Sequence, residues 1–374
     1  MYIAVTGYFG SGSSAVLDLL SEYCCNGTGL QEDKGGYEHN TLYFPGGIFD
    51  LEDKLLKNND IHRSDEALTT FKKEMMRLNN NNFGWYGSFR KLFGNKFEKN
   101  LSQFVEELHP FSIGVRYYGQ CKKVIFNPLK IPVQLAAKIL VGRTIYKWGR
   151  QFLFNSMKPG MTVAFPTDEE FYTAAKRFVK SYLDMYREPG KDNIVFDRLL
   201  LCHNLYRIPH YFDDDFRIIR MQRDIRDVYI FNKYLWKEIH AGSMYPFEID
   251  TFVDYWRRVN ACEQSSDDYR ILTVSFEDLI YNYEETVKRI EEHCNLKPED
   301  HTAVKKFFDP AKSMKNTQVY KINDKWKDEI ERLEQEFGDF TYQFPYEIET
   351  SISDMFDDSR VKKKNGLLNA IRHR

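Results

Sequence analysis

Residues 2–6 form an uncharged, mostly apolar run. They are followed by Gly7-Tyr8-Phe9-Gly10-Ser11-Gly12-Ser13-Ser14 and then by a stretch, 14–23, that sets Val16, Leu19 and Leu20 at helical spacing. A short continuous apolar run reads as a buried strand, and i, i+3, i+4 spacing reads as an amphipathic helix, so the chain opens as strand, glycine-rich turn, helix. Residues 26–50, rich in Gly, Asn and Asp, predict a long loop near the end of that first strand. From about 51 to 180 the pattern is mostly helical, with little strand-like alternation. Strand patterns return at 193–196 running into Asp197, at 216–221 just ahead of Arg223, and at 271–274 just ahead of Phe276, with helical stretches between them. This alternation predicts an α/β fold in three layers: a parallel sheet flanked by helices, with ligands bound at the carboxyl ends of the strands. The expected organisation is a single domain over 1–350 that carries a helical insertion at about 51–180, then a polar and basic tail over 351–374.

Composition narrows the function classes. A formal charge of -2 with 29% charged residues excludes the uniformly basic body of a general nucleic-acid binder. An aromatic content of 16%, with 29 Phe and 24 Tyr, predicts a folded protein with an aromatic-rich core. The six cysteines (Cys24, Cys25, Cys121, Cys202, Cys262, Cys294) show neither a CxxC nor a Cys/His metal spacing, so no disulfide framework and no metal site is expected. With no basic leader and no long apolar span, the expectation is a cytoplasmic protein. One local patch stands out. Between Glu107 and Asp168 there is no acidic residue, while nine Lys and Arg from Arg116 to Lys158 lie among aromatics, a stretch suited to a polyanion or a membrane surface.

The opening loop matches the nucleotide-triphosphate pattern GxxxxGK[ST] except that Ser13 stands where lysine belongs. Without that point charge the case for ATP or GTP hydrolysis weakens, yet an anion cradle survives. Glycines let the backbone approach, amide N–H groups and serine hydroxyls donate, and a helix N-terminus adds partial positive charge. A plain Gly/Ser turn with Ser13 as the helix N-cap is the bland alternative. A second constellation, Arg223-Asp224-Ile225-Arg226-Asp227, follows an apolar strand and precedes a helix, and two arginines at a strand end suit a phosphate.

Taken together, these motifs resemble the sulfotransferases that use 3′-phosphoadenosine 5′-phosphosulfate. Ser11-Gly12-Ser13-Ser14 is similar to the last four positions of that family's phosphosulfate loop, [KR]SGT[TS], with Gly10 in place of the basic residue. The stretch from Arg223 resembles the 3′-phosphate motif RDPRDVxxS, with Ile225 for proline and Phe231 for serine. Arg198, after the strand at 193–196, stands about where the family has a lysine. "ILTVSFEDL" and "KNTQVYKINDKW" are similar to its later strand and its cofactor-covering loop. The resemblance implies a P-loop-like fold, and transfer of a sulfuryl group to a hydroxyl or amine of a carbohydrate or small-molecule acceptor. It implies no metal, and 3′-phosphoadenosine 5′-phosphate as the product.

It further implies that Gly10, Ser11, Gly12, Ser13 and Ser14 hold the 5′-phosphosulfate and Arg223 the 3′-phosphate, with Asn232, Lys315 or Asn316 replacing the missing serine. Arg198, and after it Lys34, would supply the charge missing at Gly10. Candidates for the base are Asp197, Glu32, Glu38, His39 and His203. Glu277 and Asp278 read as helix caps. Two other classes stay open: a P-loop small-molecule kinase or NTPase in which Asp197 faces magnesium, against which Ser13 argues, and a nucleotide-binding module without catalysis.

Overall fold

The computed structural model describes residues 1–28, 41–81, 87–114, 160–235 and 244–349. Glu32, Lys34, Glu38, His39, the basic stretch 116–158 and the tail 351–374 lie outside these. In chain order the principal elements are β1 (Tyr2–Gly7), α1 (Ser13–Leu20), β2 (Asn26–Thr28), α2 (Ile61–Asn80), α3 (Lys96–Glu107), β3 (Phe111–Ile113), β4 (Met161–Val163), α4 (Asp168–Asp184), β5 (Asn193–Asp197), β6 (Phe216–Gln222), α5 (Ile225–Ile230), α6 (Ile249–Ala261), β7 (Ile271–Ser275), α7 (Tyr283–Cys294) and α8 (Lys327–Phe337). The chain divides into two compact units: Met1–His39 with Tyr186–Arg374, and Asn40–Met185.

The first unit is built on a five-stranded sheet of order β2-β5-β1-β6-β7, every pairing parallel, flanked by helices. A parallel sheet buried on both faces needs continuous apolar strands. Accordingly Ile3, Ala4 and Val5 of β1, and Ile218 and Ile219 of β6, are fully buried. On one face Ile3, Val5, Val195, Ile219 and Met221 pack with Val16, Leu19 and Leu20 of α1 and with Val287 and Ile290 of α7. Each such side chain contributes about 1.5–3 kcal/mol by leaving water. A second cluster joins α5, α6 and α8 through Val228, Tyr229, Phe252, Trp256 and Leu333.

The edge strand β2 lies inside the segment that the sequence pattern assigns to a loop. Asn-Gly-Thr carries no apolar alternation and pairs because β5 offers it an edge, with the Asn193 side chain donating to Asn26 Oδ1 at 2.9 Å.

The second unit is mainly helical and its core is phenylalanine. Phe104 packs on Phe178 at 4.9 Å and on Phe71 at 5.5 Å between ring centres. Its α4 starts at a capping box in which Thr167 Oγ1 accepts from Glu170 N while Glu170 accepts from Thr167 N. It also contains a short antiparallel pair, β3 with β4, that the helical pattern does not anticipate, because three residues are too few to carry a period.

Candidate active site

The turn between β1 and α1 reverses the chain at the carboxyl end of the central strand. Gly10 and Gly12 have φ of +85° and +86°, a region that suits glycine. Gly12, not Ser13, occupies the N-cap of α1, and no side chain caps the helix. Within the first turn Ala15 N donates back to Gly12 O at 3.0 Å, and a helix N-terminus without a side-chain cap suits an anion. The Ser11 hydroxyl is buried without a hydrogen-bond partner.

Arg223 follows the end of β6 and reaches across the loop. Nη1 donates to Gly10 O at 3.2 Å, Nη2 donates to Asn316 O, and Nε is buried without a partner. Its guanidinium plane lies between the rings of Phe231 at 4.2 Å and Phe276 at 4.7 Å. Phe231, where the sulfotransferase motif has serine, therefore serves as half of a cation–π clamp. Burial lowers the Arg223 pKa, while Asp227, Glu277 and Asp224 beneath it oppose that shift.

A cavity of about 460 Å³ opens over this ground. The loop from Gly7 to Gly10 together with Gly12, Ser13 and Ser14 lines it, and so do Asp197, Arg198, His203 and Arg223. Tyr245, Tyr255 and Met244 add an aromatic and apolar wall. Strand β5 ends on Asp197, and Arg198, at φ +46°, donates its N–H to Val5 O and turns the chain out of the sheet. Arg198 Nε lies 3.7 Å from Asp197 Oδ2. His203 Nε2 lies 3.0 Å from Val259 O. A carbonyl can only accept, so Nε2 carries the proton and Nδ1 is the basic nitrogen of the neutral ring. Cys202 also lines the cavity, but burial pushes its thiol up to about 11 and keeps it protonated at neutral pH.

Several expected site residues have other duties. The Asn232 amide is buried, donating to Tyr245 O at 3.1 Å and accepting from Met244 N and Tyr245 N, and so holds the segment that forms part of the cavity wall. Arg226 is not a second phosphate arginine: it grips Asp224 at 2.5 Å, Glu334 at 2.6 Å and Tyr342 O at 3.1 Å. Asn316 contributes its carbonyl to Arg223, and Lys315 sits beside it in the same short turn. Neither lines the cavity. Glu277 does not cap its own helix with its side chain. It is fully buried and accepts from Asp224 N at 3.0 Å.

That placement has a pH signature. Burial pushes Glu277 up to about 8, and Arg223 only partly offsets this. Asp227, accepting from Gln318 N and Tyr320 N, is raised by burial as well. A carboxyl whose folded pKa exceeds its unfolded value contributes stability below the unfolded value and loses it as pH rises through the folded one. Between about pH 4.5 and 8 the unliganded protein should lose stability, Glu277 contributing about 1 kcal/mol per pH unit. Thermal melts across this range should show the decline, and Glu277→Gln, neutral at every pH and still able to accept from Asp224 N, should flatten it.

The family profile described as "Sulfotransferase domain" matches residues 173–364, just over half of the chain. The chain belongs to the sulfotransferase family. A search of curated proteins finds no match. The matched span takes in β5, Arg198, the Arg223 motif and β7, and leaves out the loop at Gly7–Ser14. The sulfotransferase is a transferase of sulfur-containing groups, and family membership brings with it a nucleotide cofactor and an acceptor substrate. Its residues suit a phosphate-bearing nucleotide: α1 opens on the cavity without a side-chain cap, Arg223 lines the same cavity, and the Ser11 hydroxyl and Arg223 Nε are buried donors without a partner, Ser11 itself lying outside the lining. Among the described residues, no helix is long and apolar enough to cross a membrane.

Proposed function

We propose that this sulfotransferase transfers a sulfuryl group from 3′-phosphoadenosine 5′-phosphosulfate to a hydroxyl of a small-molecule acceptor, a carbohydrate in the first instance, in a reducing cytoplasmic setting. The observation that carries the reading is the single cavity shared by the β1–α1 loop, Arg198 and Arg223. The cofactor, when bound, supplies an activated sulfur on a phosphate leaving group. The loop N–H groups and Ser11 hold the 5′ end, Arg223 holds the 3′-phosphate, and Arg198 takes the place of the cation missing at Gly10. Asp197 orients Arg198 through their ion pair. His203 Nδ1 receives the acceptor proton as the acceptor oxygen bonds to sulfur and the sulfur–oxygen bond to the phosphate breaks. Tyr8, Tyr245 and Tyr255 on the same cavity suit the flat face of a sugar or other ring.

Calorimetry with 3′-phosphoadenosine 5′-phosphate against ATP plus magnesium tests the reading. The bisphosphate should bind and ATP should bind more weakly; tighter ATP binding, or no bisphosphate binding, would sink it. Arg223→Ala should weaken the bisphosphate by about 1–3 kcal/mol, the loss of a charged hydrogen bond. Unchanged affinity would remove Arg223 from the role.

A further inference from the structure

Tyr8 sits in the middle of the anion loop, and its hydroxyl donates to Glu263 Oε1 at 2.5 Å. The other carboxylate oxygen of Glu263 accepts from Arg220 Nη2 at 2.6 Å, from the middle of β6. Both members of the ion pair are mostly buried, with side-chain exposures of 23% and 14%. Glu263 lies just beyond α6, whose Val259 carbonyl holds His203 and whose Trp256 packs on the Tyr8 ring at 5.2 Å. The Tyr8 ring meets the His203 ring edge-on at 5.7 Å. Burial and the neighbouring carboxylate raise the Tyr8 pKa, so the phenol stays a donor. None of these three side chains belongs to the motifs by which the loop or the Arg223 segment is recognised.

We propose that Glu263 is a positioning residue that presets the 5′-phosphate loop through Tyr8, with Arg220 neutralising the carboxylate so that it does not repel the incoming anion. The inference rests on reading that loop as the 5′-phosphate cradle. A loop with two left-handed glycines has many alternatives to its bound shape, and a fixed tie at its midpoint lowers the ordering entropy that binding would otherwise lose. The tie therefore acts on ligands that carry a 5′-phosphate and not on those held through the 3′-phosphate alone.

Tyr8→Phe keeps the ring and changes no charge. It should weaken adenosine 5′-phosphate and 3′-phosphoadenosine 5′-phosphate by about tenfold, the loss of one charged hydrogen bond, while adenosine 3′-phosphate binds as before. In a Glu263→Leu background, where no acceptor is left for the phenol, adding Tyr8→Phe should cost nothing further. A general loss of fold would weaken all three ligands together. The proposal is overturned if Tyr8→Phe leaves 5′-phosphate binding unchanged, if it weakens the 3′-phosphate equally, or if the two substitutions add. If the parent protein binds none of the three, the cofactor reading fails and takes this inference with it. If the parent binds and the variants match it, only the tie is refuted.

Discussion

Arg198→Ala should lower sulfuryl-transfer turnover about 100- to 1,000-fold, the usual loss when a preorganised donor to developing charge is removed, and should weaken the bisphosphate as well, because its 5′-phosphate carries in full the charge that develops on the leaving group. The expectation follows from two facts. Gly10 supplies no side chain where related loops carry a cation, and Arg198 lines the cavity that Gly10 lines. Its backbone adds a second handle. At φ +46° a side-chain-bearing residue costs about 1–2 kcal/mol relative to glycine, a cost tolerated at functional sites. Arg198→Gly should therefore be as inactive as the alanine variant while melting no lower than the parent. Turnover from radiolabelled cofactor and affinity from bisphosphate calorimetry should therefore fall together. Parent-level turnover in either variant would move the missing charge elsewhere.

Gly12→Ala should be strongly damaging to the loop. A Cβ there would lie 2.5 Å from Phe276 Cδ2, and the backbone is left-handed. The conformation costs about 1–2 kcal/mol, and overpacking against a ring costs a further 1–3 kcal/mol or so. Phe276 cannot yield freely, because its ring also forms one side of the Arg223 clamp. Denaturant unfolding should show a loss of about 2–5 kcal/mol, and bisphosphate affinity should fall with it, since displacing Phe276 releases Arg223. A variant as stable as the parent would mean that the loop and the clamp move independently.

Much of this was legible in the amino-acid order. The apolar runs that became β1, β5, β6 and β7 stood out because strands buried on both faces must be apolar throughout. The turn at Gly7–Ser14 and the arginine after β6 stood out because phosphate chemistry demands glycine, hydroxyl and cation at strand ends. Asp197, Arg198 and His203, close together in the chain, share one cavity with Arg223 and with the distant loop that begins at Gly7. Where the reading went astray, the residue type was ambiguous between neighbours and only packing chose. Asn-Gly-Thr became β2 because β5 had an open edge. Phe231 looked like a lost phosphate donor until its ring was found against Arg223. Arg226 looked like a second phosphate ligand until it was seen bonded to Asp224, and Glu277, which does stand at the N-cap of its helix, gives its side chain to Asp224 instead.

By itself, then, the sequence determined the α/β class and the family, because each depends on local composition and on periods a few residues long. The tertiary structure decided which side chains share the cavity with the loop, which nitrogen of His203 faces a carbonyl, and which partners Arg223 and Tyr8 take. Those answers depend on pairs such as Arg223 with Gly10 and Tyr8 with Glu263, 213 and 255 residues apart. A hydrogen bond's partner over such a distance is set by strand register and helix packing, and neither leaves a mark on the residues between.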